Sequence, residues 1–482
     1  MNLVNESEKS VDTLYADELK GQLLSRNGNN WYGFAVMLFL SPLAWILLIT
    51  SIFFSTFDEK YWAEGDSPGY TNFYHNIFKG ETDIRRTPGY PYFIKIAEKI
   101  AGETLELEHG YGPETIYSLQ KGEALTAITL HGFMVYPAHV VSGFRAASVL
   151  IKMQLLFYLA ALTVFYYASQ KILSNNWLHT LMVLFIALFF VHFQLWIMTE
   201  PVAISLTLIF TSLMIHYVTN PRSFLAIILG GFILIMVMVR PAFVILYPLL
   251  FAFLLLRCIL APKERIQCIC GLSAVLMTSL LLFGYSKLNE NNYGVATITR
   301  VGTGNGIAVF AFWGLYENGC DPDINEAFKN SEFLSENDYF KCNLRSELYS
   351  KFGVKRMKNY ISESIKKNFT SYFILTVKRM YWYHQYPSFL LYYSIGVLDF
   401  ALLIIMSLKA RIFPWLRLGC WFFFYTTLFG LFWNVNADHP RLIMSVAPVF
   451  YLILFLHIDL FCNFYTQSKS QFWKIVHDRL YQ

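Results

Sequence analysis

A chain of 482 residues that is 55% hydrophobic, 18% aromatic and only 15% charged, with a mean hydropathy of +0.41, is not an ordinary soluble domain. Such domains carry about 25% charged residues, and one buried core cannot hide this much apolar surface. The net charge of +5, with no basic stripe, excludes nucleic acid as a partner, and what remains is an all-α polytopic membrane protein.

In chain order, residues 1–32 are polar and mixed in charge, neither a cleavable signal nor an organelle presequence, and read as a cytoplasmic segment. A helix needs ~20 apolar residues to cross a hydrocarbon core of ~30 Å. Runs of that kind lie at about 33–54, 147–168, 178–198, 201–218, 224–239, 242–257, 266–285, 388–408, 416–433 and 442–463, which predicts about ten spans. The pairs that meet at Glu200 and at Arg240 read as tight helical hairpins. Lys171, Arg222, Arg257, Lys263, Arg265, Lys409, Arg411 and Arg417 fall in loops on one side, with Lys469, Lys474 and Arg479 in the tail 464–482. The short connections on the other side hold only Arg240 and Arg441, so the positive-inside rule places both termini in the cytoplasm.

The chain thus divides into a transmembrane catalytic module at 33–285 that includes a first outer segment at 55–146, a second outer segment at 286–387, and C-terminal spans within 388–463. In the first outer segment, Tyr92, Phe93, Ile96 and Ile100 share one helical face opposite Lys95, Glu98 and Lys99, which predicts a helix lying in the membrane interface. Residues 356–380 repeat the pattern with a basic tint. There Lys355, Arg356, Lys358, Lys366, Lys367, Lys378 and Arg379 interleave with Phe369, Tyr372, Phe373 and Ile374, suited to headgroups or a lipid phosphate.

Charges near a membrane are costly, so those on the outer side are candidates for function. Asp66 stands in Glu64-Gly-Asp-Ser-Pro-Gly-Tyr70, just beyond the first span; taken alone it is an acidic turn residue. Arg86-Thr-Pro-Gly-Tyr-Pro91 follows, a turn fixed by two prolines and a glycine. Glu200, in Met198-Thr-Glu-Pro201, reads equally as a cap on a helix with Pro201 at its first position. Arg240 in Val239-Arg-Pro241 and Arg441 in Asp438-His-Pro-Arg441 read singly as snorkelling anchors. All four sit at one depth on different hairpins, and a bundle would gather several of them around one cavity.

The other polar residues are less telling. Asp399 lies mid-span and calls for a polar partner inside the bundle, while His192, His216 and His457 show no ligand spacing. Gly302-Thr-Gly-Asn-Gly306 follows no strand and lacks the Lys-Ser/Thr of a nucleotide cradle. Of seven cysteines, only Cys320 and Cys342 fall in an outer segment, where an oxidising compartment would bridge them.

This arrangement resembles the GT-C superfamily of membrane glycosyltransferases, most closely the branch of the protein O-mannosyltransferases and the lipid A aminoarabinose transferase. The matching motifs are Asp66-Ser-Pro-Gly-Tyr70, the turn at 86–91, Thr199-Glu-Pro201, Val239-Arg-Pro241, and the arginine before a proline-containing last span, Arg441 to Pro448. The resemblance implies a polyprenyl-phosphate sugar donor used on the non-cytoplasmic face. Asp66 would be the base, and Arg240, Arg441, Glu200, Arg86, Tyr70 and Arg379 would bind the substrate or its phosphate. Two departures stand out. Relatives carry Asp-Glu in the first-loop motif, whereas Glu64 and Asp66 flank a glycine here, and their Arg-Tyr is Arg441-Leu442.

The chemistry suits these residue types. A carboxylate takes the proton of an attacking sugar hydroxyl, and the planar fork of arginine suits the leaving phosphate. One base without an enzyme nucleophile implies inversion at C1. No cofactor is required, although Glu64 and Asp66 could recruit a divalent metal weakly. The expected acceptor is a cell-envelope glycan or lipid such as lipopolysaccharide, and the expected location is a bacterial inner membrane. Alternatives are a lipid-linked glycan polymerase or ligase, a protein O-glycosyltransferase and, from another class, a transporter or flippase. A transporter would show internal repeats and midplane binding groups, which this sequence lacks.

Overall fold

The computed structural model describes residues 41–56, 60–61, 63, 68–71, 76, 79–109, 115–118, 124–127, 138–299, 307, 315–330, 343–371, 374, 445–449, 451–456, 458–459 and 462. The expected spans at 388–408 and 416–433, Asp399 and the glycine-rich loop lie outside them.

Apolar helices dominate: α1 (Pro42–Ser55), α3 (Phe144–Ser169), α4 (Asn176–Val191), α5 (Thr199–Thr219), α6 (Ser223–Val239), α7 (Leu246–Leu260) and α8 (Arg265–Tyr293). Among the described residues, five helical stretches are long and apolar enough to cross a membrane, namely Phe144–Ser169, Asn176–Leu195, Thr199–Thr219, Pro241–Ile259 and Pro262–Tyr293. Pro42–Ser55, Ser223–Val239 and Ala447–Leu456 are shorter apolar helices. The chain is a polytopic, mostly helical membrane protein. Local sequence sets the ends of these helices. The Asn175 side chain accepts from the amides of Trp177 and Leu178 at the start of α4, and Gly294 in the left-handed region closes α8. Small residues set the spacing: a Cβ on Gly230 would lie 2.7 Å from Ala274 Cβ, so α6 and α8 pack nearly backbone to backbone.

The all-α expectation needs a correction in the first outer segment, which carries five short strands. Strand β1 (Lys60–Tyr61) pairs antiparallel with β3 (Thr115–Ser118), which pairs with β4 (Ala124–Ala127). Strand β2 (Glu106–His109) pairs antiparallel with β5 (Ala138–Ser142), matching Leu107 to Val140. Leu107 and Val140 are buried while Glu106, Glu108 and Val141 are exposed, a two-residue alternation too short to stand out in the sequence.

The expected interfacial helix is α2 (Gly89–Ala101), and it is docked on protein along its length. Its buried stripe, Tyr90, Ile94, Ala97 and Ala101, faces the first half of α3. Its first turn reaches Gln154 and Phe157, while Glu103, just past its end, accepts from the Ala146 amide. The two helices therefore run roughly antiparallel. Tyr92, Ile96 and Ile100, the stripe visible in the sequence, face outward. The helix has two apolar stripes, and the second one positions it.

In the second outer segment, α9 (Pro322–Lys329) and α10 (Asn343–Lys367, kinked at Gly353) build a small core of their own. Ile324, Phe328, Met357, Tyr360 and Ile361 fill it. Met357, Tyr360 and Ile361 of the stretch 356–380 are thus covered by protein, whereas Phe369 and Ile374 are exposed; Tyr372, Phe373, Lys378 and Arg379 lie outside the described residues. Helix α8 also runs on to Tyr293, past the boundary expected at 285, and Lys358 there donates to the Ala296 carbonyl.

Candidate active site at one end of the bundle

The start of α3, the end of α4, the start of α5 and the end of α6 lie at one end of the bundle. Here four sequence motifs pack together. The helical turn Pro68–Thr71 takes in the second half of the Asp66-Ser-Pro-Gly-Tyr70 motif. The Arg86 guanidinium lies 4.6 Å over the Tyr70 ring, and a Cβ on Gly69 would come within 3.1 Å of Arg86 Nε. Tyr70 meets Tyr90 edge to face at 5.3 Å. The turn 86–91 then seats on the end of α6. A Cβ on Gly89 would stand 2.6 Å from the Met238 carbonyl oxygen, so only glycine permits this approach, and Thr87 Oγ1 lies 3.5 Å from the Val239 carbonyl.

Arg240, the next residue, turns inward and is 6% exposed; Glu200 is fully buried. Arg240 Nη1 stands 3.2 Å from Glu200 Oε1 and donates to Ser445 Oγ, four residues beyond Arg441 in sequence. Thr199 Oγ1 donates to Glu200 Oε2 at 3.2 Å. Helix α5 begins at Thr199, so Pro201 takes its third position and not the first. Its missing N–H still falls among the amides with no partner inside the helix. The cluster therefore joins motifs that are more than a hundred residues apart. Residues that the sequence pointed to as phosphate ligands form a buried ion pair.

Beneath them lies a feature that the sequence reading missed. Gln154, fully buried in α3, accepts from the Tyr90 hydroxyl at 2.9 Å and donates to the carbonyls of Gln194 (2.8 Å) and Trp196 (3.0 Å). Burial pushes the Tyr90 hydroxyl well above its usual pKa, and the nearby Tyr70 and Glu200 raise it further, so it stays a proton donor. A glutamine inside an apolar run was the available signal, since a polar residue at that depth needs partners.

The loop before the turn is tied down separately. Asp83 binds Arg85 through its side chain and backbone amide. Asn292 Nδ2 donates to the Gly80 carbonyl at 2.8 Å, the Tyr293 hydroxyl to the Thr82 carbonyl, and Thr299 Oγ1 to the carbonyls of Ile84 and Arg85 at 3.1 Å. Asp66, Glu64, Arg441, Arg379 and Cys342 lie outside the described residues. Cys320 lies far from this cluster in sequence, where Ser364 Oγ donates to its sulfur at 3.3 Å. His192 stacks on Phe193, and His216 meets Lys171 Nζ at 2.9 Å. Among the described residues, no three or more His, Cys, Asp or Glu gather as a metal site.

No protein-family model matches the sequence, and no curated protein does. Solved structures of an oligosaccharyltransferase from Archaeoglobus fulgidus are similar in part. Its complex with zinc and sulfate superposes with a TM-score of 0.45 at 13% identity, over 89% of this chain and 51% of that one. The archaeal oligosaccharyltransferase AglB from the same organism, in complex with an inhibitory peptide and a dolichol-phosphate, gives 0.35 at 12% identity, over 89% and 52%. The chain spans about half the length of these proteins.

Proposed function

We propose that the chain is a membrane glycosyltransferase that moves a monosaccharide from a polyprenyl-phosphate donor to a cell-envelope glycan or lipid, with Asp66 as base. The observation that carries this reading is the convergence of the residues around 68–71, 86–91, 199–201 and 239–241 at one end of an apolar bundle. A lipid-linked sugar presents its reacting carbon at the membrane surface, so a site for it belongs at the end of a bundle. Two alternative carboxylates are engaged: Glu200 by Arg240 and Asp83 by Arg85. We assign the base to Asp66, two residues from Pro68 in sequence. The leaving phosphate we assign first to Arg86, which is half-buried beside Gly69 and Tyr70 of the acidic motif.

In this reading the acceptor hydroxyl loses its proton to Asp66 as its oxygen attacks C1. The bond from C1 to the phosphate oxygen breaks, the electron pair stays on the phosphate, and Arg86 balances the charge. The sugar inverts. The test is sugar transfer in membranes from a polyprenyl-phosphate donor. Asp66→Asn should remain inserted and bind donor, yet lose ~10²–10⁴-fold in rate, as when a general base is removed. Glu64→Gln should lose less, and an equal loss would point to a shared metal. Near wild-type turnover in Asp66→Asn would overturn the assignment.

A further inference from the structure

A chain of contacts leads from the break after α4 to Arg86. Helix α4 stops at Val191, a 3-10 turn covers His192–Leu195, and the backbone is extended at Trp196. The carbonyls of Gln194 and Trp196 are accordingly not taken up by a regular helix. Irregular backbone at membrane depth needs internal partners. The Gln154 amide supplies them, giving a hydrogen to each carbonyl, so its Oε1 has a single defined direction in which to accept. That direction holds the Tyr90 hydroxyl. The Tyr90 ring in turn meets Tyr70 at 89°, and Tyr70 offers its face to Arg86. With its Cζ 4.6 Å over that ring and its Nε beside Gly69, the Arg86 guanidinium is held between two parts of the acidic motif.

We propose that Tyr90 and Gln154 are positioning residues that hold the Arg86 guanidinium in the orientation in which it receives the lipid phosphate. The inference rests on the glycosyltransferase reading and adds to it the part that aims the arginine. An apolar residue at 154 would suit the span equally well by hydropathy. It would remove the Gln154 bonds to both carbonyls and the acceptor that the Tyr90 hydroxyl uses.

The test uses the full chain in detergent and synthetic decaprenyl phosphate as probe, with decaprenol as the control lacking phosphate. Tyr90→Phe keeps the ring and removes only the hydroxyl. It should raise the Kd for decaprenyl phosphate about five- to tenfold, as expected for one buried hydrogen bond, and leave decaprenol binding unchanged. In an Arg86→Ala background the same change should have no further effect, because Tyr90 acts through Arg86. A merely structural tyrosine would instead add its full effect. An unchanged Kd in Tyr90→Phe, or full additivity with Arg86→Ala, overturns the proposal. Hydrogen exchange without lipid gives a second readout, in which amides of 86–93 should exchange faster in Tyr90→Phe and those of α5 and α6 should not. If the wild type binds no lipid phosphate, the glycosyltransferase reading fails, and the exchange measurement still decides whether Tyr90 positions the turn.

Discussion

Glu200 and Arg240 meet 3.2 Å apart in a nearly dry setting, and that burial changes what each can do. An exposed arginine at a membrane boundary would be available to phosphate. Here the guanidinium balances a carboxylate and bridges to Ser445, so it acts first as a strut between α5, α6 and the start of the last helix. Removing one partner of such a pair costs roughly 3–5 kcal/mol, because a lone charge is left buried, whereas replacing both by apolar residues is often tolerated. Arg240→Ala and Glu200→Ala should each lower the yield and melting temperature of detergent-solubilised protein, and Arg240→Met with Glu200→Leu should recover most of both. Per folded molecule, Arg240→Ala should weaken decaprenyl phosphate binding less than Arg86→Ala. The reverse ranking would restore Arg240 as the principal phosphate ligand. At this scale Arg86, Tyr70, Glu200 and Arg240 could be picked out in the sequence because charge and turn chemistry mark them. Gln154 carried only the signal of a polar residue in an apolar run, and which carbonyls it serves is decided by what faces it.

Among the elements, the long spans were the easiest to read. Because lipid tolerates few alternatives to a saturated helix, apolar runs predicted α3, α5, α6 and α7 to within a few residues; they missed the ends of α4 and α8 by seven and eight. The misses fall where the environment is neither lipid nor a large core. The strands β2 and β5 are only a few residues long, α2 has a second apolar stripe, and Met357, Tyr360 and Ile361 of α10 help fill a small core of their own. The contact of α2 with α6 can be tested at one atom. Gly89→Ala would drive a methyl into the Met238–Val239 backbone, which cannot swing aside as a side chain can. It should lower sugar transfer at least tenfold if, as in other sites, a displacement of ~1 Å costs ~10²-fold. Gly231→Ala is the control, with nothing within 4 Å of its added Cβ. It should be neutral or slightly stabilising, since alanine is the better helix former by about 1 kcal/mol. Equal activity of the two variants would show that the seat of the 86–91 turn does not matter.

For the whole molecule, the bundle has two chemically different ends. One gathers the motifs. The other carries Lys171, Arg222, Lys263 and Arg265, together with Arg257, which is buried against Glu264 and the Tyr217 ring. At that same basic end, Asp459 of the last helix accepts from the Ser174 hydroxyl at 2.9 Å and from the Ser174 and Asn175 amides at 3.0 and 3.1 Å. The segment that holds Ala447–Leu456 is therefore fastened beyond one end through Asp459 and before the other through Ser445. On the positive-inside rule the basic end is expected to face the cytoplasm. Reporters fused after residues 110 and 330 should read as extracytoplasmic, and one fused after 262 as cytoplasmic. Opposite readings at 110 and 262 would place the motif cluster on the cytoplasmic face and remove the basis for an outward-facing donor site.

The amino-acid sequence by itself determined that the chain lives in a membrane, roughly where most spans begin and end, and which outer charges deserved suspicion. These are properties of composition and local pattern, and hydrocarbon enforces them residue by residue. Only the tertiary structure decided how those charges are spent. Whether Arg240 faces a phosphate or Glu200, and whether Tyr90 finds Gln154, depends on which helices lie side by side. Side-by-side packing is set by small residues such as Gly89 and Gly230 that allow close approach. In lipid, where apolar surface alone does not choose neighbours, that fit between backbones brings distant motifs into one site.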